Sequence, residues 1–155
     1  MPELQGWRLI LEKHRDQAFE GLGASQFGGR WNHKGYPAVY AGRNASLTVL
    51  EVFVNAALDR LTTNRYLLIG FTLDIPGYSE AHLRDLPRDW RQSPPPQSTK
   101  DMGTEWFRKG ETPALIVPST IVPQDGTLII NPRHPDLHIK DISKENFVFD
   151  SRMLR

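Results

Sequence analysis

Cysteine is absent from all 155 residues. That excludes disulfide bonds, thiolate metal sites and a cysteine nucleophile, and it suits a reducing compartment. Net charge is nearly absent as well: 19 Lys and Arg face 18 Asp and Glu, leaving +1. No broad basic field exists to make nucleic acid the default partner. No apolar run approaches the roughly 18 residues that a membrane span requires. The opening Met1-Pro2-Glu3-Leu4-Gln5-Gly6 has neither a basic leader nor an apolar core. These absences lead us to expect a soluble, cytoplasmic protein that binds neither membrane nor, directly, nucleic acid. No G-x-S-x-G elbow surrounds Ser119, which argues against a serine-hydrolase triad even though His134 and several aspartates are available. Of the five histidines only His134 and His138 stand four apart, and Pro135 opposes a helix between them, so no metal site is expected.

What the chain does contain is enough apolar material for one core: 39% of residues are hydrophobic and 24% charged. A single domain over residues 1–155 follows, without room for a second. Strands are expected at 7–11, 38–41, 66–73, within 114–121 with its end marked by Pro118, and at 127–130, with a last strand at 147–149 and a tail at 150–152. Residues 13–27 are polar and glycine-spaced and read as a loop or short helical turn. Asn44 or Ser46 can cap a helix whose apolar face is Leu47, Leu50, Val54, Leu58 and Leu61. A second, short helix is expected at 100–109. The Pro94-Pro95-Pro96 stretch reads as a stiff surface connection.

The stretch from 27 to 51 organises the rest. Gly28 and Gly29 precede Arg30, so main-chain amides beside a guanidinium offer a concavity suited to phosphate. Tyr40 lies on the following strand. On the next helix Thr48, Asn55 and Asp59 form a narrow polar stripe with Glu51 at its edge; a lone helical glutamate ordinarily just begins a solvated stripe. Arg8 is either a surface arginine or a ligand clamp. Ser119 stands past the end of a buried strand, where serines usually bond backbone. Pro132 and Pro135 bracket Arg133 and His134, restricting the backbone there.

Gly28-Gly29-Arg30-Trp31-Asn32, Val39-Tyr40-Ala41, Leu50-Glu51, Val117-Pro118-Ser119 and Asn131-Pro132-Arg133-His134-Pro135, in that order, resemble the RES-domain family. That family is named for an Arg, a Glu and a Ser, which here fall on Arg30, Glu51 and Ser119. The resemblance spans nearly the whole chain, and one departure is Asn55, where relatives often carry histidine. It implies an α+β fold resembling ADP-ribosyltransferases, with a mixed or antiparallel β core and flanking helices. It implies a bacterial toxin that degrades NAD at the nicotinamide–ribose bond by hydrolysis or phosphorolysis, or transfers ADP-ribose to a protein. Its partner would be a helical Xre-like antitoxin covering the active site, in a homodimer or higher complex.

Cleaving that bond creates an oxocarbenium-like centre, which calls for pyrophosphate anchors and a nearby anion. The catalytic set is therefore Arg30, Glu51, Tyr40 and Ser119. The set expected to bind NAD is Arg8, Gly28, Gly29, Trp31, Asn32, Asn131 and His134.

Overall fold

The computed structural model describes residues 3–155; the reading of the N-terminus as leaderless thus falls partly on Met1 and Pro2, outside the described residues. Seven strands form one mixed sheet: β1 Glu3–Leu11, β2 Val39–Gly42, β3 Tyr66–Asp74, β4 Ser79–Glu80, β5 Ala114–Pro118, β6 Gly126–Ile130 and β7 Ile139–Phe147. Their order is β4-β5-β6-β2-β1-β3-β7. All neighbours are antiparallel except β4 and β5. Helices α1 Leu22–Phe27, α2 Ala45–Asn55, α3 Leu58–Thr63 and α4 Gln97–Lys109 flank it, giving the expected α+β architecture. No helix among the described residues is long and apolar enough to cross a membrane.

Alternation along the strands divides the core. On one face Leu4, Val39, Ala41, Ile69, Phe71, Leu128 and Ile130 pack together with Ala18. On the other, Leu115, Val117 and Ile129 meet Trp31, Trp90 and Trp106, the last from α4. Further along this second face Leu9 and Tyr66 meet Leu61 of α3, with Val49, Val52 and Phe53 of α2 packed against them. Two helical covers therefore sit side by side on one face of the sheet, and the space between them becomes the candidate site.

The sheet is nearly split beneath that space. β1 pairs with β3 along its full length, from Glu3–Asp74 to Leu11–Tyr66, but with β2 only at Trp7–Gly42. Past that pair the two strands part.

Two sequence expectations are corrected. The helix expected to run on to Leu61 is broken: Ala56 and Ala57 are extended, with ψ 148 and 140. Alanine is the best helix former, so local propensity does not end α2. The break rotates the apolar stripe, leaving Val54 and Leu58 about half exposed while Val49, Val52 and Phe53 make the packing. The final strand is β7, ending rather than starting at Phe147. Its sequence I-K-D-I-S-K-E-N-F is largely exposed because it is an edge, where charged side chains discourage pairing with another chain. Residues 12–27 form a 3₁₀ helix, Glu12–Gln17, followed by α1.

Candidate functional site

Glu51 leaves the inner side of α2, whose first turn is capped by Asn44 accepting from the Leu47 amide at 2.7 Å. The polar stripe is mixed: Asn55 and Asp59 are exposed and Glu51 is half-buried. Thr48 is buried and donates to the Trp7 carbonyl at 3.2 Å, and Thr48, Glu51 and Asn55 together line a cavity. Half-buried Glu51 accepts from Ser119 Oγ at 2.7 Å and from Thr127 Oγ1 at 3.1 Å, both through Oε1. Ser119 is 1% exposed and accepts from the Ile121 and Val122 amides at 3.1 and 3.2 Å. Its one proton is held by Glu51, and its lone pairs by amides. Both the proton and the lone pairs of this serine are therefore engaged, and its hydroxyl braces the carboxylate.

Arg30 sits at the tip of a tight turn closed by Gly29 and Asn32, whose amides and carbonyls bond each other at 3.1 and 3.4 Å. Its Nη1 donates to the Trp90 and Gln92 carbonyls at 2.9 and 2.8 Å. No carboxylate pairs with it among the described residues. Burial lowers its pKa from the ordinary arginine value, an effect partly offset by Tyr40 and Glu51.

The Tyr40 hydroxyl donates to Asn32 Oδ1 at 2.6 Å and accepts from the Trp31 amide at 2.9 Å. Fully buried Asn32 also donates to the carbonyls of Ala24, His33 and Tyr36. A Cβ on Gly29 would stand 2.7 Å from the Tyr40 hydroxyl, so only glycine permits this approach. α4 presses on the same turn through Gly103, where any Cβ would collide with the Trp31 carbonyl. Lys100 Nζ adds a bond to the Gly29 carbonyl at 2.9 Å.

Arg8 occupies the split in the sheet. Its Nε donates to the Tyr40 carbonyl at 2.9 Å and its Nη1 to the Ala18 carbonyl, so the guanidinium replaces ladder bonds that β1 and β2 do not make. Burial lowers its pKa to about 10, and it has no carboxylate partner among the described residues.

Two cavities meet at Glu51. The smaller, about 300 Å³, is lined by Arg30, Trp31, Tyr40, Glu51, Asn55 and Thr127, with Pro95 and Pro118 among its other walls. The larger, about 950 Å³, contains Arg8, Lys13, Tyr40, Glu51, Asn55 and Arg60. Tyr40, Glu51 and Asn55 belong to both.

The RES domain family model matches residues 5–150. The chain belongs to the RES-domain family. It is similar to Toxin Res of Photorhabdus laumondii, 38% identical over 154 residues, with 96% of each chain covered. It is also similar to Toxin Res of Yersinia enterocolitica, 34% identical, covering 95% of this chain and 97% of the relative. A third relative, the Prs ADP-ribosylating toxin of a Sphingobium species, is 34% identical and covered to 96%, as is this chain. The fold is shared with a chain in the crystal structure of the M. tuberculosis MbcT–MbcA toxin–antitoxin complex. That match has a TM-score of 0.72 and 20% identity, and covers 93% of this chain and 85% of the other.

The three residues on which the family's Arg, Glu and Ser were expected to fall lie together: Ser119 touches Glu51, and Glu51 shares a cavity with Arg30. Not every expected residue joins them. His134 Nε2 bonds the Gly110 carbonyl at 2.8 Å and its Nδ1 accepts from the Asp136 amide. Asn131 Oδ1 accepts from the Arg133 amide. Both follow the end of β6 opposite Thr127, which puts Asn131 roughly 13 Å from it at ~3.3 Å per strand residue, and neither lines either cavity. They brace a loop because they lie beyond the wrong end of that strand.

The expected amide concavity is also corrected. The Gly28 amide is spent on the Ala24 carbonyl at 2.8 Å and the Gly29 amide on the Asn32 carbonyl. These glycines shape the turn; with Nη1 of the neighbouring guanidinium on two carbonyls, its Nε and Nη2 are left to meet an anion. Asn32 is likewise an internal strut, and Trp31 contributes a cavity wall and core packing.

Sequence reasoning passed over Thr127, Lys100 and Pro95. The first was visible only as a strand residue, since a contact across 76 positions carries no local signal. Pro95 belongs to the presumed surface connection, which turns out to wall the smaller cavity.

Proposed function

We propose that this RES domain is the toxin of a toxin–antitoxin pair and acts by cleaving the nicotinamide–ribose bond of NAD. The supporting observation is one guanidinium and one carboxylate, Arg30 and Glu51, lining a common cavity that shares Tyr40, Glu51 and Asn55 as walls with a larger one lined by Arg8. Clefts of roughly 300–1,000 Å³ are the size range of small-molecule sites. In this reading the reactive ribose lies at Glu51, and the pyrophosphate lies between Arg30 and Arg8, neither of which is neutralised by a protein carboxylate. The C1′–N bond breaks with its electron pair moving to nicotinamide, and Glu51 stabilises the cationic ribose left behind. Water then adds at C1′ and releases its extra proton to solvent, or a phosphate oxygen anion adds there instead. The carboxylate is held through Oε1 by Ser119 and Thr127, which leaves Oε2 for the reacting centre. An Xre-like antitoxin that covers this opening would complete the pair.

The test is NAD consumption, read as nicotinamide release, by folded wild type, Glu51→Gln and Arg30→Ala. Each substitution removes one oriented charge and is expected to cost on the order of a hundredfold or more in rate. Equal turnover by all three would end the assignment.

A second reading is favoured by the 34%-identical relative named as an ADP-ribosylating toxin: the acceptor is then a protein side chain. Labelled NAD separates the two. Free ADP-ribose or its phosphorylated form means degradation, and labelled protein means transfer.

A further inference from the structure

We propose that Thr127 is a positioning residue for Glu51, equal in kind to Ser119, and that the pair fixes the carboxylate plane so that its unbonded oxygen faces the substrate. The inference rests on the role given to Glu51 above. Thr127 is the second residue of β6 and is 8% exposed. Its backbone is registered on both sides, opposite Gly42 of β2 and Val117 of β5. A hydroxyl on a strand bonded along both edges is among the least mobile donors a fold can supply. Ser119, by contrast, lies in a turn after β5, so the two donors reach Glu51 from separately fixed elements.

Both hydroxyls donate to Oε1, at 2.7 and 3.1 Å, and neither to Oε2. One donor would leave the carboxylate plane free to swing about its last bond. Two donors arriving on one oxygen define its position, and the planar group then directs the other along a single line. Thr127 also lines the smaller cavity beside Arg30 and Tyr40, so its half of the clamp forms part of the cavity wall. Removing its hydroxyl leaves binding surface largely intact but loosens the aim of the charge. Misplacement on the scale of an ångström costs about a hundredfold where geometry governs the rate.

The experiment compares NAD consumption by wild type, Thr127→Val and Thr127→Ser, with Glu51→Gln alongside. Valine keeps the shape and suits a strand. We expect kcat to fall roughly tenfold to a hundredfold in the valine variant, with KM for NAD within about twofold, and the serine variant to recover most of the loss. Thr127→Ala carries the same comparison if the valine variant folds poorly. Unchanged kcat in the folded variants, or a loss confined to KM, would overturn the role of Thr127. If Glu51→Gln is itself as active as wild type, the underlying reading fails instead.

Discussion

The Tyr40 phenol is buried, and both its proton and a lone pair are in use, on Asn32 and on the Trp31 amide. Burial raises its pKa above the ordinary tyrosine value, against smaller lowering contributions from that amide and from Arg30. A raised folded-state pKa gives stability that is complete below the unfolded value of about 10 and is lost as pH rises beyond it. Arg8 opposes it in the same alkaline range: its depressed pKa lets the folded state shed a proton sooner, so stability gains with pH. Tyr40→Phe isolates the first effect because Arg8 is common to both proteins. At about pH 8 the variant should be less stable by about 1–3 kcal/mol, the cost of orphaning buried polar partners. In urea unfolding that deficit should shrink as pH is taken to about 11, and a pH-independent deficit would refute the account.

The helix that delivers Glu51 depends on its cap. Asn44→Ala removes the bond to the Leu47 amide, which should cost about 1 kcal/mol and lower Tm by about 2–4 °C in a domain of this size. Asn44→Asp should be nearly neutral, and calorimetry on the three proteins checks both. How well elements could be read from sequence followed how locally they are determined. β3, buried along almost its whole length, and the capped start of α2 were plain. β7 was hidden because an exposed edge lacks an apolar period, and the break at Ala56 and Ala57 because alanine gives no stop signal. Within the site, the Arg30, Glu51 and Ser119 positions were legible through the family motif. The spent amides of Gly28 and Gly29, the remote His134 and the hydroxyl of Thr127 required the fold, since each depends on which strand end faces which.

At the scale of the whole molecule, one side chain ties two parts of the sheet. Arg8 bridges β1 to β2 through the Tyr40 carbonyl and reaches Ala18 on the other side. Arg8→Met keeps most of the apolar stem while leaving two carbonyls unpaired. It should destabilise the domain by about 2–4 kcal/mol, and faster amide exchange should concentrate at the ends of β1 and β2 nearest the gap. Uniform exchange across all strands would show that the bridge is not local. The two chambers that meet at Glu51 have a practical corollary for inhibitor chemistry. Small fragments seated on opposite sides of that carboxylate need not compete, and a short tether between them would turn two feeble ligands into one tight blocker through effective concentration alone.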